Sequence, residues 1–395
     1  MLRKGILKDQ GQPIAARNTI PKRDFLILPL LVLVTVVALF LASNTIATKT
    51  FKESTADSCA AFDPVIVSRY KPNCMSHVKA AEGPWVVNRF NACGLRSNAP
   101  CGQLPAGATR IVLLGSSASF AAYVEEEQGF SSVAAVTLER HYGRPIEVQN
   151  MGRVACSPIC TLHRLDEAFA LHPDILMMTV SPHDLEMLDP EGMAHRNVPM
   201  SGLGGLAGTA AHAGMLARMK TALLGSRATY AIEHYLFQSP LTYLRVYMNY
   251  GGSAAYLRPQ LPPDWQMHLS SFDIILDEIS ARAKSQNIPF ILVEMPSLAQ
   301  ASLSGLRGGF PNADPNALNN ELATMCRRRG VQFIDPLIDF KSRPDTNKLF
   351  YVMDGHMNAA GNKLVGDVVA REIEQTHLSV LEHSTGNVPQ AGMNN

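Results

Sequence analysis

Eighteen consecutive residues, Phe25 to Ala42 (FLILPLLVLVTVVALFLA), carry no charge. As a helix rising 1.5 Å per residue, the run is about 27 Å long, close to the thickness of a bilayer core. Pro29 falls near its start, where a missing N–H does little harm. Ahead of it, Arg3, Lys4, Lys8, Arg17, Lys22 and Arg23 stand against Asp9 and Asp24. By the positive-inside rule residues 1–24 form a cytoplasmic tail, residues 25–45 a single anchor, and everything later is exported. A cleaved signal peptide is the rival reading, because Ala42, Ser43 and Ala47 follow the run. The length of both the run and the leading segment favours the anchor.

The cysteines fit an oxidising compartment. Cys59 with Cys74, Cys93 with Cys101, and Cys156 with Cys160 are near neighbours in the chain, and Cys326 is left over. The three pairs are expected as disulfides, with buried free thiols as the alternative. Cys156-Ser-Pro-Ile-Cys160 has neither redox C-x-x-C spacing nor companion zinc ligands. The formal net charge of +1 gives no reason to expect a nucleic-acid partner.

Residues 46–108 read as an irregular juxtamembrane segment that wraps onto the main domain. From residue 109 to about 380 the pattern becomes apolar runs of strand length between helical stretches. The runs are Ile111–Leu114, Ile146–Gln149, Ile175–Val180, Phe290–Glu294 and Val331–Ile334. Apolar on both faces, they predict a parallel five-stranded, flavodoxin-like sheet covered by helices, a three-layer α/β/α fold. Such sheets bind ligands at the carboxyl ends of their strands. Between about 187 and 265 the rhythm breaks into a Gly/Ala/Met-rich piece (202–225) and a Tyr-rich one (Tyr230 to Tyr256). This helical insertion is read as a lid, a partner surface or a pair of packing helices. Residues 381–395 are expected to form a disordered tail.

Two segments carry the chemistry. After the strand at Ile111–Leu114, the chain passes Gly115 into Ser116, Ser117, Ala118 and Ser119, then helical material. A serine on a strand-to-helix turn exposes its hydroxyl near free backbone N–H groups, which suits a nucleophile needing an oxyanion hole. A helix N-cap serine reads the same way. The second segment, Asp354-Gly-His-Met-Asn-Ala-Ala-Gly361, leads into an amphipathic helix. His356 with Asp354 two residues earlier reads as a general base and its orienter, or as a loop capped by Asn358. The chain has no Walker-type loop, no G-x-G-x-x-G after the first strand and no H-E-x-x-H, so no cofactor is implied.

Together these segments resemble the SGNH (GDSL-like) hydrolases, which place a serine after the first strand and an Asp/His pair before the last helix. The resemblance extends over Asn91-Ala-Cys-Gly-Leu-Arg96, Glu125-Glu-Glu-Gln-Gly-Phe130, Val148-Gln-Asn-Met-Gly152 and Ser181-Pro-His-Asp184, covering roughly 89–185 and 285–378. It implies Ser117 as nucleophile, His356 as base and Asp354 as orienter, ahead of Asp335 or Asp339. It also implies an oxyanion hole built from the N–H groups of Ser117 and Gly152, with His183 where the family commonly has Asn. Two further departures stand out. Ser116 replaces the usual Asp before the serine, and Met353 holds the family's usual acid position, three residues before the histidine. His183 is either a donor to the hole or a structural residue bonded to Asp184.

The expected function is that of a serine esterase or O-acyltransferase acting on acyl groups, acetyl foremost, of envelope or secreted polysaccharide. The setting is a single-pass protein of the bacterial inner membrane with its main domain in the periplasm. Expected partners are an acylated glycan or other ester and a membrane acyl-donor protein. The competing expectation is a non-catalytic SGNH-like module that binds glycan or scaffolds an envelope biosynthesis complex, suggested by the altered blocks and the Tyr-rich insertion.

Overall fold

The computed structural model describes residues 23–188, Met193, 225–249, 251–341 and 343–382. Most of residues 1–24, expected as a cytoplasmic tail, the Gly/Ala/Met-rich piece up to residue 224, and residues 383–395 of the expected disordered tail lie outside the described residues.

The apolar run forms one helix, Asp24–Thr50, with Phe25–Thr50 long and apolar enough to cross a membrane. It continues past residue 45 because polar residues there satisfy themselves along the helix. Thr45 and Thr48 donate their hydroxyls to Leu41 O and Asn44 O at 2.8 and 2.7 Å. Pro29 therefore sits in the second turn, inside the helix. The last turns pack on the main domain. Ala47 and Phe51 are buried with Tyr230 and Ala231 of the helix Arg227–Leu236, and Asn44 Oδ1 accepts the Ala228 N–H at 3.2 Å.

Residues 46–108, expected to be irregular, are more regular than their composition suggests. They hold two antiparallel hairpins: β1 (Ala60–Asp63) with β2 (Val67–Tyr70), and β3 (Met75–Val78) with β4 (Val86–Arg89). Strands of four residues with little apolar alternation give no periodicity to read. The Cys59–Cys74 disulfide ties one hairpin to the other, and Cys93–Cys101 and Cys156–Cys160 close the remaining two pairs. Cys326 is free and buried, and burial pushes its thiol up to about 12. Tyr70, Phe90 and Phe120 stack at 4.3 and 5.2 Å, laying the hairpins on the turn that carries Ser117.

The main sheet has five parallel strands: β5 (Thr109–Leu114), β6 (Ile146–Asn150), β7 (Ile175–Val180), β8 (Phe290–Glu294) and β9 (Gln332–Ile334), in the order β6-β5-β7-β8-β9. Strands β5, β7 and β8 are buried throughout, and alternate residues feed two separate cores. Val112, Leu114, Leu176, Met178 and Leu292 face the helices Pro263–Ser285 and Ala317–Arg329. Ile111, Leu113, Ile175, Met177 and Ile291 face Phe130–Tyr142 and Ala359–Thr376. Each fully buried Ile, Leu, Val or Met contributes about 1.5–3 kcal/mol, so this double-sided packing fixes where the strand ends point.

The described part of the insertion holds helices Arg227–Leu236 and Pro240–Tyr247 and a short 3-10 stretch, Gly251–Leu257. Tyr256 links this region to the sheet side through its hydroxyl, 2.7 Å from Ser297 Oγ.

Candidate active site

Strand β5 ends at Gly115, whose φ of +137° only glycine adopts readily; a Cβ there would lie 2.2 Å from Ser119 Oγ. The chain then turns sharply. Ser116 caps a one-turn helix, Ser117–Phe120, and Ser117 is its first residue, so its backbone N–H lacks an intrahelical acceptor. Ser119 is structural: its hydroxyl donates to Leu114 O at 2.7 Å and lies 2.5 Å from Thr179 Oγ1.

Across the carboxyl end of the sheet, Phe350 bridges Met357 and closes a loop whose tip is Asp354-Gly355-His356. Gly355 has φ +89°, which bends the chain so that the aspartate returns to the ring two residues on. Asp354 Oδ1 lies 2.5 Å from His356 Nδ1 and accepts the His356 backbone N–H at 3.3 Å. The other ring nitrogen, Nε2, lies 2.7 Å from Ser117 Oγ. A carboxylate can only accept, so the proton between Asp354 and the ring sits on Nδ1, leaving Nε2 to take the serine proton. Tyr123 packs edge-on against the imidazole at 5.6 Å.

These three side chains open on a cavity of about 230 Å³ at the ends of β5, β7 and β8. Its walls include Ala118, Ala121, Ala122, Tyr243, Met295 and Leu298. His183 lines the same cavity, on the short helix Pro182–Glu186 that follows β7. The Asp184 carboxylate takes its hydrogen bonds from Ser181 and Ser116, while His183 acts on it through space. Its Oδ2 accepts the Ser181 N–H and hydroxyl, both at 2.8 Å, and the Ser116 hydroxyl also bonds to it. Burial pushes the Asp184 carboxyl up, against the pull of those hydrogen bonds. Asp184 thus joins the turn after β5 to the turn after β7, a link that Ser116 makes in place of an aspartate.

Gly152 does not join the cavity. Its N–H donates to Asn150 Oδ1 at 2.8 Å, and Asn150 Nδ2 donates to Ser119 O at 2.8 Å. The Asn-x-Gly turn therefore braces the serine-bearing helix instead of presenting a donor beside Ser117. The two rival acids also have other duties. Asp335 accepts from Asn319 Nδ2 and Leu337 N at 2.8 and 3.0 Å, and Asp339 pairs with Arg371 at 2.7 Å.

Two residues assigned no role at the site from the sequence also shape it. Arg96 is buried to 2% exposure and donates to the carbonyls of Phe120, Ala121 and Val124. That stretch contains Ala121 and Tyr123 at φ +54° and +64°, so the guanidinium holds a left-handed backbone that L residues rarely adopt. Tyr243, from the Tyr-rich insertion, walls the cavity and has its phenol pushed up by burial. Among the described residues no three His, Cys, Asp or Glu side chains gather as a metal-ligand group.

No family model matches the sequence, and no curated protein matches it. Among solved structures, the chain is similar to a lipolytic protein of the G-D-S-L family from Desulfitobacterium hafniense, at 14% identity over 67% of this chain and 99% of that one, TM-score 0.35. It is similar to a lipase/acylhydrolase from Enterococcus faecalis, at 14% identity over 68% and 96%, TM-score 0.37. A mutant of an acetyl-xylooligosaccharide esterase from Geobacillus is similar at 11% identity over 68% and 96%, TM-score 0.37.

Proposed function

We propose that the protein is a membrane-anchored serine esterase or O-acyltransferase of the SGNH type. In this reading it handles small acyl esters, acetyl first, on envelope or secreted polysaccharide. The observation that carries it is the unbroken chain Ser117 Oγ, His356 Nε2, His356 Nδ1, Asp354 Oδ1, at 2.7 and 2.5 Å. Ser117 Oγ attacks the ester carbonyl while its proton passes to His356 Nε2, and Asp354 stabilises the imidazolium. The oxyanion is met by the Ser117 N–H and by His183, which takes the place of an asparagine amide. His356 then protonates the departing alcohol. In the second half it deprotonates water or a sugar hydroxyl, which attacks the acyl-serine and restores Ser117. The small alanines beside Ser117 favour a short acyl group.

The apolar helix and the disulfides support an anchored domain in an oxidising compartment. The basic residues ahead of the helix are the reason to put residues 1–24 in the cytoplasm, with the inner membrane as the setting. An acylated glycan is the substrate and a membrane acyl-donor protein the partner in the transfer version. One observation favours the second reading, a glycan-binding or scaffolding module: Gly152 spends its N–H on Asn150, which leaves the hole fewer donors.

The two readings separate in one experiment. The full chain in detergent is assayed with p-nitrophenyl acetate, with and without acceptor glycan, and labelled with a fluorophosphonate. Turnover and an adduct at Ser117 are expected, with Ser117→Ala losing turnover by about 10⁴-fold or more. Turnover retained in Ser117→Ala would remove Ser117 as nucleophile. A wild-type protein with neither adduct nor turnover would favour the binding module. Acyl groups appearing on the glycan at the expense of free acid would identify transfer.

A further inference from the structure

A second carboxylate lies beneath the loop that carries the base. Glu82, in the turn between β3 and β4, sends Oε2 to the backbone N–H groups of Met353 and Asp354, at 2.9 and 3.3 Å. Its Oε1 lies 2.6 Å from His234 Nδ1, on the helix Arg227–Leu236. The Glu82 side chain is only 3% exposed. Removing a carboxylate from water is costly unless donors replace the water, and here two peptide N–H groups and one imidazole N–H do so.

The loop's own hydrogen bonds leave that task open. Tyr351 N–H donates to His356 O at 2.9 Å and Gly355 N–H to Tyr351 O at 2.6 Å, which closes the turn on itself. Neither bond fixes the two amides just before the aspartate side chain. Glu82 fixes both, from a hairpin some 270 residues earlier in the chain. His234, its third donor, packs edge-on against Phe51 at the end of the anchor helix. The loop bearing the acid and base is thus braced against the part of the fold nearest the anchor.

We propose that Glu82 is a positioning residue: it holds the Met353 and Asp354 amides so that the Asp354 carboxylate meets His356 Nδ1. This inference rests on the Ser117–His356–Asp354 reading. Glu82 touches neither substrate nor reacting atoms. Its effect travels through the Asp354 backbone, and so belongs in kcat rather than in substrate binding.

The test uses the full chain in detergent, with steady-state kinetics on p-nitrophenyl acetate, thermal melting, and NMR of ¹⁵N-histidine-labelled protein. The Nδ1 proton resonance of His356 is assigned by its loss in His356→Gln. Glu82→Gln keeps the side-chain volume but turns one acceptor oxygen into a donor amide. Displacing a catalytic group by about 1 Å can cost 10²-fold, so kcat is expected to fall about tenfold in Glu82→Gln and about a hundredfold in Glu82→Ala, with KM within about twofold. The His356 Nδ1 resonance should broaden or vanish in both variants. Wild-type kcat with an unchanged resonance in both would overturn the proposal, as would a loss confined to KM. If Glu82→Ala melts far below wild type, Glu82→Gln decides. If the wild type proves inert to ester and fluorophosphonate, the hydrolase reading falls separately. The resonance alone then judges Glu82: retention in Glu82→Gln overturns the proposal and its loss sustains it.

Discussion

Both nitrogens of His356 are occupied, Nδ1 by Asp354 and Nε2 by Ser117, so the ring's tautomer follows from the aspartate. Asp354→Asn tests this directly. An amide facing Nδ1 offers an N–H as readily as a carbonyl, and so permits the tautomer that cannot accept the serine proton. Turnover of p-nitrophenyl acetate is expected to fall about 10³–10⁴-fold with little change in KM. A loss below about tenfold would move the orienting role to another group. These three residues were legible as neighbours because each stands out by type and local setting: a serine at a strand end, and an aspartate and histidine two apart around a glycine. Gly152 was not, for an instructive reason. Its Asn-x-Gly spelling matches a family turn, but whether the N–H faces the cavity depends on where the Asn150 side chain lies. Here that side chain takes the N–H for itself.

At the scale of elements, the five strands of the main sheet could be read from the chain, because strands buried on both faces are continuous apolar runs. The four hairpin strands could not. Each is four residues long, and disulfides and a few aromatic stacks help hold them in place where a broad apolar face is lacking. The turn after Ser117 shows the same dependence on distant help. Arg96 satisfies three carbonyls there and stacks over Phe120 at 4.6 Å. Burial depresses the Arg96 guanidinium, with Glu126 and Glu125 pulling it back up. Arg96→Leu would leave the three carbonyls unsatisfied around an apolar side chain. A stability loss of roughly 3 kcal/mol or more is expected from urea unfolding. A change under about 1 kcal/mol would mean that the loop keeps its shape without the guanidinium.

Across the molecule, helix Ala317–Arg329 is joined to the ends of β8 and β9 by a buried polar network. Asn319 Nδ2 donates to Glu294 Oε2 at 3.2 Å and to Asp335 Oδ1 at 2.8 Å. Burial pushes the Glu294 carboxyl well above the ordinary carboxylate value, and the charge of Asp335 adds to it. The folded chain therefore binds this proton more tightly than the unfolded chain does. Stability consequently falls as pH rises from the ordinary carboxylate range through the raised value. Glu294→Gln removes that titration while keeping an acceptor for Asn319. The urea midpoint of the wild type should drop between pH 5 and pH 8 by more than that of the variant. Equal drops, or a larger one in the variant, would show that Glu294 contributes no such cost.

What the chain settled alone was local. An uncharged run defines a helix long enough for a bilayer and apolar runs define strands, because each signal lies within a few turns of backbone; the cysteine pairing was an expectation until the fold brought the sulfurs together. What the tertiary structure decided was which distant groups share a site. Ser117 meets His356, 239 positions away, Glu82 reaches a loop 271 positions on, and Tyr243 arrives from an insertion to wall the cavity. A hydrogen bond has a range of about 3 Å, and only tertiary packing brings groups so far apart in sequence within that reach.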